Sequence, residues 1–141
     1  MIRSAVSGSA VALAAILLHA PASAQPGGTA PNCAEPFTQA EINMCARADQ
    51  EAAEAEMSVV YDLLLAQLQD QDRNYADNGP EYVGAENLLR ESQETWERSR
   101  SDLCAIPSLT FRGGSMRPGV VASCMATLAR SRAEELRWLI E

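Results

Sequence analysis

The chain has 141 residues, a formal net charge of −8 and no lysine; all 11 basic residues are arginine. So acidic a protein repels nucleic acid and anionic membrane surfaces and attracts a basic protein partner. Its one histidine is His19, so beyond that position the usual side chain for acid–base work near neutral pH is missing, and with it Ser-His, Cys-His and His-containing metal sites.

Arg3, an apolar run over residues 5–18 and the small residues Ala22-Ser23-Ala24 make the three parts of a secretory signal peptide, residues 1–24. The run is shorter than the roughly 20 residues that span a membrane, so no membrane attachment is expected once it is cleaved. Cleavage after Ala24 leaves residues 25–141 with 10 arginines against 19 acids, a charge of −9. The expected location is periplasmic or secreted. Residues 25–32 contain Pro, Gly and Asn and read as a disordered lead-in; one domain follows over 33–141.

Four cysteines remain: Cys33, Cys45, Cys104 and Cys124. An even number in a small exported domain predicts two disulfides, which leaves no thiolate for catalysis or zinc.

The first helix is announced by Thr38-Gln39-Ala40-Glu41, a capping box, with Phe37 and Ile42 placed for a hydrophobic staple. Ile42, Ala46, Ala53, Met57, Val60, Leu64 and Leu68 then form one apolar stripe, predicting a helix over about 38–71. Residues 72–80 read as a turn. A second helix is predicted over about 81–104, with Leu88, Leu89, Ser92, Trp96, Ser99 and Leu103 facing inward, antiparallel to the first. Residues 105–117, with Pro107 and Gly113-Gly114, read as a long loop. A third helix is predicted over about 117–140, with Val121, Cys124, Leu128, Leu136 and Leu139 inward. The fold class is therefore all-α, a small disulfide-bonded bundle of three helices built as a long antiparallel hairpin plus a C-terminal helix.

This topology gathers the cysteines at one end. Local pairing, Cys33–Cys45 with Cys104–Cys124, is favoured; Cys45–Cys104 with Cys33–Cys124 fits the same geometry.

Several segments resemble the LprI-like family of bacterial proteins, named for a lysozyme-inhibitor lipoprotein. Cys33 and the run from Thr38 through Asn43, Met44 and Cys45 to Ala46 resemble its opening. Glu54, Met57-Ser58, Tyr61 and Leu64 resemble its next motif, where the family usually has Asp and Leu-Asn in place of Glu54 and Met57-Ser58. Gln93-Glu94-Thr95-Trp96, Arg98, Arg100 and Cys104 match its Gln-x-x-Trp…Arg…Cys signature, and Gly113-Gly114-Ser115, Cys124, Thr127, Arg132 and Leu136 its C-terminal part. The resemblance covers about residues 33–140. It implies a secreted helical domain, with lysozyme inhibition attributed to at least one member.

Gln93, Trp96 and Arg100 share one helix face, as do Glu54 and Tyr61. An Arg100–Glu54 ion pair and a Gln93–Tyr61 hydrogen bond are expected, forming a polar network that fixes helix register. Phe111, Arg112, Gly113, Gly114 and Ser115 combine an aromatic, a cation and flexible backbone, the composition of a protein-binding site. Asp70, Asp72, Asn74, Asn78 and Glu81 have the spacing of a calcium loop, yet Tyr75 stands where the sharp turn needs Gly. No catalytic residues, metal ligands or cofactor are expected. The function read from the sequence is a non-enzymatic interaction protein that binds a protein, a basic lysozyme foremost. The alternatives are an envelope-stress module with another partner and a calcium-binding module.

Overall fold

Thr38 is in extended conformation just ahead of α1 (Gln39–Tyr75), and its hydroxyl accepts the Glu41 amide at 3.2 Å. Glu41 in turn accepts the Thr38 amide at 2.8 Å, completing the capping box. This computed structural model describes residues 31–140; the expected signal peptide, and all of the lead-in but Pro31 and Asn32, fall outside the described residues. The staple does not form as expected, because Phe37 is 94% exposed.

At 1.5 Å per residue the 37 residues of α1 run about 55 Å. The helix continues into the expected turn and stops only at Tyr75. Two single-turn 3₁₀ segments, Ala76–Asn78 and Pro80–Tyr82, and two glycines with positive φ, Gly79 and Gly84, then reverse the chain. α2 (Ala85–Ser108) starts and ends four residues later than expected, and α3 (Arg117–Ile140) begins where expected. Gln69 meets Glu86 and Glu54 meets Arg100, so α2 runs antiparallel to α1. Asn43 meets Gly119, Asp49 meets Arg130 and Glu56 meets Arg137, so α3 runs parallel to α1. The chain is an all-α bundle of three helices, with no strand among the described residues.

The broadest seam lies between α1 and α3. α3 buries Gly119, Ala122, Ala126, Ala129 and Ala133, a row of small residues that lets two backbones approach closely, and beyond them Leu136. Into it pack Ala53, Met57, Val60 and Leu64 of α1. The expected stripe on α3 is therefore rotated: Val121, Cys124 and Leu128 are half-buried and Leu139 is exposed. α2 is rotated too. It buries Leu89, Gln93, Cys104 and Ser108, while Leu88 and Leu103 face solvent and Trp96 is half-buried. Counting apolar residues favours the Leu88–Leu103 face; the polar network described below draws the opposite choice.

Candidate functional site

Two disulfides tie down one end of the bundle. Cys33 is bonded to Cys45 and Cys104 to Cys124, each pair with Cα atoms 5.5 Å apart, and no described cysteine is free. The local pairing is thus the one present.

The loop expected over 105–117 is mostly helical. α2 runs on to Ser108 with Pro107 inside its last turn, and Leu109–Phe111 adds a 3₁₀ turn. Pro107 is tolerated because the carbonyl its missing amide would have served belongs to Leu103, an exposed residue that water can reach. Ser108 donates its hydroxyl to the Ala105 carbonyl at 2.7 Å and accepts Arg117 Nε at 3.3 Å. Only residues 112–116 remain irregular. Gly113 adopts φ +74°, the Gly114 amide donates to the Phe111 carbonyl at 2.9 Å, and the Arg117 amide donates to the Gly114 carbonyl. Arg112, Gly113, Gly114 and Ser115 are exposed, whereas Phe111 is half-buried and helps close the turn.

Asn43 anchors this turn to α1. Its Nδ2 donates to the Ser115 carbonyl at 2.8 Å and its Oδ1 accepts the Gly119 amide at 3.1 Å. It thereby caps the first turn of α3 from a different helix. Asp72 does the same for α2, accepting the amides of Gly84, Ala85 and Glu86 at 3.0–3.2 Å. The Glu86 amide, then those of Ala85 and Gly84, hold the Asp72 carboxyl below the usual carboxylate range. Glu41 is likewise held low by the amides of Thr38 and Phe37. Asp72, the second residue of the calcium-like spacing, is therefore engaged in capping a helix, and no cluster of three His, Cys, Asp or Glu converges among the described residues.

The central motif residues join all three helices. Arg100 pairs with Glu54 at 3.0 Å, and Gln50 donates to the same carboxylate. Trp96 lies between two guanidinium groups, Arg100 at 4.8 Å and Arg132 at 5.8 Å from its ring centre. Arg132 also donates to Gln93 Oε1 at 3.2 Å and Ser92 Oγ at 2.9 Å, and pairs with Glu135. Gln93 donates to Glu97 and to Met57 Sδ, not to Tyr61; the expected Gln93–Tyr61 bond is absent. The reason is positional: Met57 lies one turn before Tyr61 on α1 and reaches Gln93 first. Tyr61 lines an open cleft of about 390 Å³ between α1 and α2 with Met57, Arg90 and Gln93. This network links all three helices through Glu54, Gln93, Trp96, Arg100 and Arg132.

Among the described residues, eight arginines pair with carboxylates; Arg112 and Arg117, both at the disulfide end, do not. Arg117 and Arg47 line a cleft of about 580 Å³ there, on one side of the α1–α3 seam. A second cleft of about 310 Å³, lined by Gln39, Ile42, Met116, Gly119, Val120 and Ser123, opens beside it. The disulfide end is thus cross-linked, carries two clefts, and holds the two described arginines that have no carboxylate partner. Reading the sequence alone missed Asn43, Gly119 and Asp72 as cross-helix caps and Arg132 as the second cation on Trp96.

A family model described as "Lysozyme inhibitor LprI" matches residues 32–136. An uncharacterized protein of Rhizobium meliloti (strain 1021) is 38% identical over 122 residues, which is 86% of each chain. No solved structure matches the chain.

Proposed function

We propose, because this chain belongs to the lysozyme inhibitor LprI family, that it is an exported, non-enzymatic protein that binds lysozyme and blocks its activity. The observation that carries this reading is the family match over residues 32–136. The bundle's construction supports it: two disulfides suit an oxidising compartment, and no helix of the described residues is long and apolar enough to cross a membrane. The net charge of −8 would steer the protein toward a basic enzyme and speed encounter at low salt.

The contact is placed at the disulfide end, at Arg112, Gly113, Gly114 and Ser115, with Phe111 as support within the turn. A turn already held by Cys104–Cys124 and by Asn43 loses little entropy on binding. Arg112, which has no carboxylate partner among the described residues, would meet the two carboxylates that a lysozyme cleft uses for glycoside hydrolysis. The test is a turbidity assay of bacterial cell lysis by lysozyme, titrated with the protein from which residues 1–24 have been removed. Slowed lysis that is restored in part by Arg112→Ala supports the reading; undiminished lysis at micromolar protein contradicts it.

A further inference from the structure

We propose that Phe37, not Phe111, is the apolar anchor that this protein inserts into the lysozyme cleft. The inference rests on the inhibitor reading above and names the residue that carries it. Phe37 is the most exposed large apolar side chain of the described residues, at 94%, although it occupies a staple position where such a side chain normally folds onto its own helix. Phe111, which ends the 3₁₀ turn just before residues 112–116, is half-buried, and its carbonyl accepts the Gly114 amide.

The backbone that presents Phe37 is fixed on both sides. Its own amide donates to Glu41 Oε2 at 2.9 Å, and the next amide, that of Thr38, donates to the same oxygen. The Cys33–Cys45 bridge closes the segment over a separation of 12 residues. Only two side-chain torsions are left to order on binding, so little freedom is lost. An exposed aromatic on a pre-ordered backbone is the form that interface anchors take.

Apolar area and two arginines lie at the same end as Phe37. Ile42 and Met116, 42% and 46% exposed, line the 310 Å³ depression that begins at Gln39, two residues from Phe37. Arg112 and Arg117 stand at the same end without carboxylate partners among the described residues. Apolar subsites flanked by two acids, as glycosidase clefts are built, complement this arrangement. Two acids, Glu35 and Glu41, stand near Phe37, the second engaged with the amides of Phe37 and Thr38, and the remaining acids provide long-range attraction to the basic enzyme as a whole.

The experiment measures the inhibition constant against lysozyme for wild type, Phe37→Ala and Leu88→Ala. Leu88 is 70% exposed at the opposite end and serves as the control. Thermal melts establish that all three fold alike, as expected for exposed positions. The expected result is a loss of roughly tenfold or more for Phe37→Ala and less than about twofold for Leu88→Ala. Full inhibition by Phe37→Ala would overturn the anchor and leave the inhibitor reading standing. No inhibition by wild type would overturn both. A wild-type dimer that Phe37→Ala dissociates without loss of inhibition would assign the side chain to a second copy and also overturn the proposal.

Discussion

Replacing Gly119 by alanine tests the close approach of α1 and α3 at the disulfide end. A Cβ on Gly119 would lie 2.6 Å from Asn43 Oδ1 and 3.7 Å from Asn43 Cα. Asn43 has little room to retreat, because Gln39, the Ser115 carbonyl and the Gly119 amide all hold its side chain. The helices must separate, or Asn43 must leave its bonds. Overpacking of this kind costs about 1–3 kcal/mol, and a lost hydrogen bond adds about 1 kcal/mol. Against this, alanine in place of glycine gains at most about 1 kcal/mol of helix propensity. The net expectation is a loss of about 1–3 kcal/mol, read from urea melts as a lower midpoint at unchanged slope. Asn43→Ala removes the obstacle, so the double variant should lose less than the sum of the two single losses, with a coupling of about 1–2 kcal/mol. A Gly119→Ala protein more stable than wild type would refute the reasoning, since it would mean that the seam has space and that Asn43 is not confined.

Trp96→Ala should cost about 2–3 kcal/mol in the same melts, less than a fully buried tryptophan, because the ring is half-buried and stacked by Arg100 and Arg132; a loss under about 1 kcal/mol would show that the stack contributes little. Stability should be level above the ordinary aspartate range near pH ~4 and fall below it, because Asp72 and Glu41 titrate lower in the folded protein than in the unfolded chain and their contribution is lost as pH drops through the folded values. Asp72→Asn should flatten part of that decline; thermal melts from pH 7 to pH 2 with an unchanged profile would remove Asp72 as the titrating cap. Breaking Cys104–Cys124 by a double Cys→Ser change should cost about 3 kcal/mol, from the entropy of a loop closed over a separation of 20 residues; a melting temperature equal to wild type would show that the bridge constrains nothing. Millimolar Ca²⁺ should leave the melting temperature unmoved, since Asp72 is engaged with three amides; a rise that EDTA reverses would revive the calcium reading.

The capping box, the apolar stripe of α1 and the extent of α3 were legible because they depend on residues close in sequence, whereas the buried face of α3 is a row of small residues that apolarity alone does not mark. The extent of α2 was not. Pro107 and the glycines suggested an early stop, yet proline is tolerated where the carbonyl it strands is exposed, and exposure depends on the packed bundle. The buried face of α2 was misread in part for a related reason: Leu89 and Trp96 face inward as expected, but the polar Gln93 and Arg100 do so too, met by Arg132, Met57 and Glu54 from other helices. The Arg100–Glu54 pairing was visible from helix faces once an antiparallel hairpin was assumed, while Gln93 found a partner one turn from Tyr61. Asn43 and Asp72 are ordinary surface residues until the helices they cap arrive from elsewhere in the chain. Phe37 was readable as a staple, and only the folded chain shows it left open to solvent.

Lysozyme binding through the disulfide end of this acidic bundle is the proposed function. Isothermal titration of lysozyme with the oxidised protein lacking residues 1–24, repeated at low and high salt, tests it most directly. The expected result is a 1:1 complex of micromolar or tighter affinity that weakens as salt screens the long-range attraction. No binding heat at either salt concentration, at protein levels well above micromolar and at two temperatures, would contradict it.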